Sequence, residues 1–143
     1  MEDYLETILT LETTQRVARV KDIADSLNVQ MPSVTSALKT LKDRGMVNYE
    51  KNSYIILTKE GHQIAESITK RHFTLAGFLQ KVLCLPTTQA QETACKIEHV
   101  ISPETAQRLN NLTAYMEEHI NSRNLNRKQW EKIISQPEKK NKK

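Results

Sequence analysis

Apolar residues recur at helical spacing along most of the chain, and short polar segments separate one stripe from the next. The first stripe predicts a helix over residues 2–13, and the second predicts a short helix from Val20 to Leu27. A third helix is expected to begin near Pro32, because proline suits the first turn of a helix. Gly45 then fits its C-terminal stop. The first third of the chain is therefore helical.

The next segment has a different pattern. Residues 47–50 and 54–57 are rich in β-branched and aromatic side chains, and the polar residues 51–53 lie between them. Two such runs around a short polar segment are typical of a β-hairpin. Two short helices joined by a tight turn and followed by a hairpin predict a winged helix-turn-helix.

Helical periodicity returns after the hairpin. Thr58 is a plausible N-cap for a long helix that reaches about Leu83. Further helices are predicted over residues 87–101 and 104–120, with a weak amphipathic turn around Trp130. The expected fold is mainly α with a small β-hairpin: a winged helix-turn-helix domain over residues 1–60, a helical domain over 61–122, and a basic C-terminal helix or tail over 123–143.

Composition narrows the class of protein. Only 38% of the residues are apolar, and no run approaches the roughly 18 apolar residues that a membrane span needs. The acidic, helix-periodic start differs from an export signal. Cys84 and Cys95 are too few for a disulfide framework. We therefore expect a cytoplasmic protein whose cysteines are free thiols or metal ligands.

The net charge of +4 is unevenly distributed. Residues 122–143 alone carry +6, so the remainder is slightly acidic, but residues 15–60 carry +3. The basic tail could contact phosphates or could be a solvated segment. The local excess in the predicted winged helix indicates where DNA contact is expected.

Small polar side chains lie at the start of the predicted third helix. Such side chains let a helix approach base edges closely, while lysines on its flank and on the wing suit phosphate contacts. The same residues would also suit a polar helix start with a solvated lysine face. The candidate DNA-binding residues are Gln30, Pro32, Ser33, Thr35, Ser36, Lys39, Lys42 and Lys51.

A candidate metal centre lies in the predicted helix over 87–101. Cys95, Glu98 and His99 are spaced i, i+3 and i+4, which places three ligating side chains on one face of a helix. A thiolate, a carboxylate and an imidazole suit a divalent transition ion such as Fe(II), Mn(II), Co(II) or Zn(II). Alone, Cys95 could equally be a small core residue.

Three other residues could complete the coordination. Asp3 and Glu6 share one face of the first predicted helix, and His72 falls on the apolar side of the long fourth helix. Each has a simpler interpretation as well. Acidic residues are favoured at any helix N-terminus, and a lone histidine is often a partly buried, hydrogen-bonded group.

Two other functions are compatible with parts of this pattern. A metal-independent winged-helix regulator would use Cys95, Glu98 and His99 structurally. A small metal-dependent hydrolase could use Glu6 as a base. The hydrolase lacks a Gly-rich loop or a nucleophile beside a base in the sequence, so we do not expect an enzyme.

Together with other short motifs, these residues resemble those of a known protein family over about residues 1–121. The chain resembles the diphtheria-toxin-repressor family of iron- and manganese-dependent repressors, in a short form like the manganese transport regulators. The segment around Cys95 is the most specific of the matching motifs. They are Glu2-Asp3-Tyr4-Leu5-Glu6-Thr7-Ile8, Arg19-Val20-Lys21-Asp22-Ile23-Ala24, Pro32-Ser33-Val34-Thr35, Leu57-Thr58-Lys59-Glu60-Gly61, Arg71-His72 and Ala94-Cys95-Lys96-Ile97-Glu98-His99-Val100-Ile101-Ser102.

The resemblance implies a homodimer that binds palindromic DNA operators when metal-loaded and represses metal uptake genes. It also implies that residues 61–122 bind metal and dimerise, with Fe(II) favoured by the thiolate and Mn(II) close behind. One principal site is expected from Asp3, Cys95, Glu98 and His99, and a dependent one from Glu6 and His72. Ala76 and Gln91 stand where the iron repressors have two ligands of an ancillary site. As our own hypothesis, we expect the dimer surface to comprise Leu75, Phe78, Leu79, Ile97, Ile101 and the helix after Pro103.

Overall fold

The computed structural model describes residues 1–51, 53–120, 122 and 126–137. Within these residues the chain forms helices and a small antiparallel sheet, so the predicted fold class, mainly α with a β-hairpin, is confirmed. The elements are α1 (Glu2–Gln15), α2 (Val20–Leu27), α3 (Met31–Asp43), β1 (Val47–Asn48), β2 (Ile56–Leu57), α4 (Lys59–Lys81), α5 (Thr87–Ile97), α6 (Pro103–Ile120) and α7 (Arg127–Ile134).

The chain divides into two compact units, Met1–Lys70 and Arg71–Lys143, and the division falls inside α4. The sequence placed a domain boundary after residue 60, and that boundary stays a prediction. Among the described residues, no helix combines the length and the apolar character that crossing a lipid bilayer requires.

The first unit is built around the helix-turn-helix. At the end of α2, Asn28 adopts the left-handed conformation that asparagine tolerates well, and the Val29 N–H donates to the Ala24 carbonyl. After α3, Gly45 has a φ of +71°, and the Met46 N–H returns to the Leu41 carbonyl. These two turns set the ends of α3, as the sequence predicted.

The apolar stripes of the first three helices meet the hairpin in one core. Side chains at helical spacing on α3, Val34, Leu38 and Leu41, are completely buried. The other fully or nearly buried members are Leu5, Ile8, Leu11, Ala18, Ile23, Ala24, Val47, Ile55, Leu57 and Ala65.

The hairpin strands are shorter than predicted. The sequence indicated strands over 47–50 and 54–57, but the ladder pairs only Val47 with Leu57 and Asn48 with Ile56. Ile55 lies outside this ladder and pairs with Ala18 instead: its N–H donates to the Ala18 carbonyl at 2.9 Å. That bridge joins the wing to the segment before α2.

The wing is also attached to α1 through a side chain. Glu12 Oε1 accepts the backbone N–H of Leu57 at 2.9 Å, and Glu12 Oε2 lies 3.2 Å from His62 Nε2. Because the Leu57 N–H is partly buried, the carboxylate supplies an acceptor that water cannot easily replace.

We expect Glu12→Ala to lower the free energy of unfolding by about 1–3 kcal/mol, since it leaves the Leu57 N–H without an acceptor. Glu12→Gln keeps an oxygen for that N–H and loses only the contact with half-exposed His62, which is worth about 1 kcal/mol or less. Urea denaturation at fixed protein concentration measures both. Equal losses in the two variants would contradict a role for the Leu57 hydrogen bond.

The second unit has its own core, which α4, α5 and α6 share. Leu75, Leu79, Ala90 and Ala94 are buried, and Phe78, Leu83, Leu85, Ile97, Ile101 and Leu109 pack against them. The prediction that Leu75 and Leu79 form a dimer surface is therefore wrong. Their apolar side chains belong to the core of their own unit.

The chain after α6 forms one more described helix. The predicted amphipathic turn around Trp130 is helix α7, which begins with a capping box between Asn126 and Gln129. Trp130 Nε1 donates to the Val82 carbonyl at 2.6 Å, which attaches α7 just beyond the end of α4. The basic run Lys139–Lys143, predicted as a tail, lies outside the described residues.

Candidate metal centre and nucleic-acid interface

The N-terminal end of α3 is exposed and polar. Gln30 is its extended N-cap residue, and Pro32 follows in the first turn. Ser33 and Ser36 are exposed, whereas Thr35 is half-buried and its hydroxyl donates to the Met31 carbonyl at 3.1 Å. The backbone and small side chains of this end are thus accessible to a groove of DNA.

The predicted DNA-binding residues divide between two sides of α3. Pro32, Ser33 and Ser36 line a shallow concavity together with Met1 and with Tyr4 of α1. Thr35, Lys39 and Lys42 face the hairpin instead, across an open groove of about 1260 Å³ whose wing side includes Lys51. Pro32, Ser33 and Ser36 therefore lie on a different side of the helix from the lysine candidates, whereas Thr35 lies on the lysine side.

Two cations of that groove were not among the sequence candidates. Arg19 and Lys21 lie at the start of α2 and line the groove opposite α3. The signal available in the sequence was the net charge of +3 over residues 15–60, to which Arg19 and Lys21 both contribute. Both side chains are exposed.

The second unit gathers polar groups around Glu98. His72 Nδ1 of α4 lies 2.6 Å from Glu98 Oε2, and His99 Nε2 lies 3.4 Å from Glu98 Oε1. The other ring nitrogen of His72 contacts Gln91 Oε1 at 2.6 Å. Two imidazoles, an amide and a carboxylate are therefore close neighbours.

Glu98 is buried because it continues the core-facing stripe of α5. Ala90 and Ala94 precede it at intervals of four residues, and both are 0% exposed, as is Glu98. Cys95 is one position further round the helix from Ala94 and is exposed. Cys95 and Glu98 therefore differ in burial, and their common role in a metal site stays a prediction.

The helix carrying this cluster is shorter than the predicted 87–101. It ends at Ile97, and Glu98 is its C-cap, although the Glu98 N–H still donates to the Ala94 carbonyl. The Val100 N–H donates three residues back to Ile97, which tightens the last turn. Ser102 precedes Pro103, and a residue before proline is disfavoured in the helical conformation.

One oxygen of the Glu98 carboxylate makes no hydrogen bond. Oε1 is buried, and His99 Nε2 lies 3.4 Å from it without forming a hydrogen bond. Buried polar atoms are nearly always satisfied, and an unsatisfied carboxylate oxygen costs free energy. A divalent transition ion binds carboxylate oxygens together with imidazole nitrogens, so the donor types gathered here suit a metal.

Two further candidate ligands, Asp3 and Glu6, belong to the first helix. Asp3 and Glu6 occupy the first two turns of α1, where Asp3 is exposed and Glu6 half-buried. Across the described residues, no three or more His, Cys, Asp and Glu side chains form a group that could hold a metal ion as they stand. The six-residue ligand set stays a prediction.

Gln91 contacts His72 but was not among the site residues predicted from the sequence. It lies seven residues before Glu98, which is two helical turns and therefore the same face of α5. That interval was the signal available in the sequence.

Each half of the chain matches the model of a known protein domain. Residues 1–54 match the model of the iron-dependent repressor N-terminal DNA-binding domain. Residues 58–123 match the model of the iron-dependent repressor metal-binding and dimerisation domain.

Relatives and solved structures give the same assignment. The HTH-type transcriptional regulator MntR of Listeria welshimeri is 35% identical over 119 residues, covering 83% of each chain. An HTH-type transcriptional regulator of Methanocaldococcus jannaschii is 39% identical over 110 residues, covering 76% of this chain and 88% of the relative.

Among solved structures, IdeR of T. acidophilum superposes with a TM-score of 0.71 at 29% identity, covering 79% of this chain and 53% of IdeR. The manganese regulator SloR gives 0.70 at 30% identity, covering 80% and 53%. The chain spans about half the length of these two structures. The resemblance seen in the sequence motifs is confirmed: the chain belongs to the iron-dependent repressor family, whose members are metal-dependent, DNA-binding transcriptional regulators with a dimerisation domain, not enzymes.

Proposed function

We propose that this protein is a metal-activated repressor of Fe(II) or Mn(II) uptake genes, which acts in the cytoplasm as a homodimer on palindromic operators. The observation that carries the proposal is the buried Glu98 carboxylate, whose Oε1 has no hydrogen-bond partner while His72 and His99 flank the group. Such a group is costly to keep unless a ligand uses it.

The proposed ligands are Asp3, Glu6, His72, Cys95, Glu98 and His99, with Asp3, Cys95, Glu98 and His99 as the principal set. Oxygen, nitrogen and sulfur donors together suit Fe(II) or Mn(II), and the exposed Cys95 thiol favours Fe(II). A bound ion supplies positive charge and directed bonds to these donors. Relatives named as manganese regulators support Mn(II) as the alternative.

The first helix offers a connection between the proposed ligands and the DNA-binding surface. α1 carries Asp3 and Glu6 in its first turns and Glu12 near its end, and the Glu12 carboxylate holds the wing strand at Leu57. Fixing the start of α1 would therefore bear on the wing. Because the proposed ligands include Asp3 and Glu6 of α1, we expect operator affinity to depend on metal.

For the homodimer, the second unit has exposed apolar side chains that its own core leaves uncovered. Phe73, Val100 and Tyr115 are 66%, 81% and 58% exposed. They support a dimer surface that differs from the one predicted from the sequence, since it excludes the buried Leu75 and Leu79.

The proposal is tested by measuring DNA affinity with and without metal. Fluorescence anisotropy with duplex DNA from the promoter of the protein's own gene is recorded anaerobically, at fixed salt, with Fe(II), Mn(II), Zn(II) or none. We expect Fe(II) or Mn(II) to strengthen binding by about 5- to 150-fold, the usual range of allosteric coupling. Equal affinity under all four conditions would overturn the metal switch and leave a metal-independent winged-helix regulator.

A further inference from the structure

The groove between α3 and the wing is strongly cationic. Its lining includes a single acidic residue, Glu50, against five basic ones. Arg19 and Lys21 belong to the α2 side, Lys39 and Lys42 to α3, and Lys51 to the wing. All five basic residues are exposed, so their charges are available to an anionic partner.

Two neighbouring contacts attach the wing to the α2 side of this groove. The Ile55 N–H donates to the Ala18 carbonyl at 2.9 Å. Beside it, the Arg19 guanidinium carbon lies 5.2 Å from the centroid of the Tyr54 ring, and Arg19 Nη2 is 3.4 Å from Tyr54 Oη. A guanidinium over an aromatic face is an attractive cation–π arrangement.

We propose that the Arg19–Tyr54 contact is a clip that holds the wing in place, so that Arg19, Lys21 and Lys51 form one cationic wall for the phosphate backbone of duplex DNA. The inference rests on the proposed function and deepens it by adding residues to the DNA-binding surface. Arg19 and Lys21 contact phosphate directly, whereas Tyr54 is a positioning residue that acts through Arg19.

The partner is a duplex and not a single strand. Single-stranded nucleic acids are bound largely through aromatic faces on which bases stack. The Arg19 guanidinium already lies over the Tyr54 ring, and Tyr49 packs against the core of the unit, so neither ring is open to a stacking base. The long, charged side chains of the wall instead suit phosphates, which position a protein on DNA without reading its sequence.

The test is the salt dependence of binding to the promoter duplex, measured with the metal that gives the wild-type protein its highest affinity. We expect Lys21→Ala to reduce the slope of log K against log salt by about 0.9, the contribution of one phosphate contact. Lys59→Ala is the matched control, because Lys59 is exposed on the same unit but does not line the groove. Its slope should equal that of the wild type.

The clip is tested with two substitutions at one position. Tyr54→Ala removes the ring and is expected to weaken duplex binding about two- to fivefold, the value of an exposed cation–π contact. Tyr54→Phe keeps the ring and should restore wild-type affinity. Since Tyr54 is 48% exposed, Tyr54→Ala should stay fully folded under the conditions of the binding experiment, which urea denaturation checks and which separates a lost clip from a lost fold.

The outcomes distinguish this inference from the function it rests on. A wild-type protein that fails to bind the duplex with any metal overturns the proposed function, and the groove proposal with it. If the wild type binds but Lys21→Ala has the slope of Lys59→Ala, only the phosphate wall is overturned. If Tyr54→Phe binds as weakly as Tyr54→Ala, the clip is overturned.

Discussion

Glu98→Gln is expected to abolish the stabilisation that Fe(II) or Mn(II) gives the folded protein, without destabilising the metal-free form. Metal at about 100 times its dissociation constant should raise the free energy of unfolding of the wild type by about 2.7 kcal/mol. The substitution replaces a buried carboxylate, whose Oε1 makes no hydrogen bond at a cost of about 1–3 kcal/mol, with a neutral amide that keeps one oxygen for His72. Urea denaturation with and without metal measures both effects, and the metal-induced gain in DNA affinity should disappear with them.

Glu92→Gln provides the matched control for this substitution. Glu92 lies on the same helix, α5, and is exposed, so the same chemical change there should leave the metal-induced shift intact. A full metal-induced shift in Glu98→Gln would show that Glu98 is not a ligand. A large loss of stability in metal-free Glu98→Gln would instead assign the carboxylate a structural role.

The helix-turn-helix could be predicted closely because its signals are local. The apolar stripe of α3 and the stop at Gly45 depend on residues within a few turns of one another. The wing strands could not be predicted as well. The partner of Ile55 is Ala18, which is far away in the sequence, and the alternating pattern of a strand does not reveal which segment it pairs with.

The candidate metal centre, too, could be predicted from the sequence only in part. The residue spacing alone pointed to Glu98 and His99, and in the structure Glu98 lies close to both His72 and His99. Spacing did not reveal that Ala90 and Ala94 direct Glu98 into the core while Cys95 is exposed. That asymmetry depends on which face of α5 the rest of the unit covers, and this is a tertiary property.

Thr58 joins the wing to α4. The sequence predicted it only as the N-cap of this helix, but in the structure it also bonds to the segment before β1. Thr58 caps α4, and its hydroxyl accepts the Gly61 N–H at 3.1 Å while donating to the Gly45 carbonyl at 2.7 Å. The Thr58 N–H donates to the Met46 carbonyl at 3.0 Å. The first turn of α4 is therefore held directly against the chain that enters the wing, and Gly61 lies in that contact.

Gly61→Ala is expected to lower the free energy of unfolding by about 3 kcal/mol, the upper end of the usual overpacking range. An added Cβ would stand 2.0 Å from the Met46 carbonyl oxygen, and that oxygen cannot move without breaking its bond to Thr58. Gly77→Ala, in the same helix, meets nothing within 4 Å and should gain up to about 1 kcal/mol from helix propensity. Urea denaturation of both variants at one protein concentration decides the point. If Gly61→Ala is as stable as Gly77→Ala, the first turn of α4 is not held against Met46, and the wing does not depend on that contact for its position.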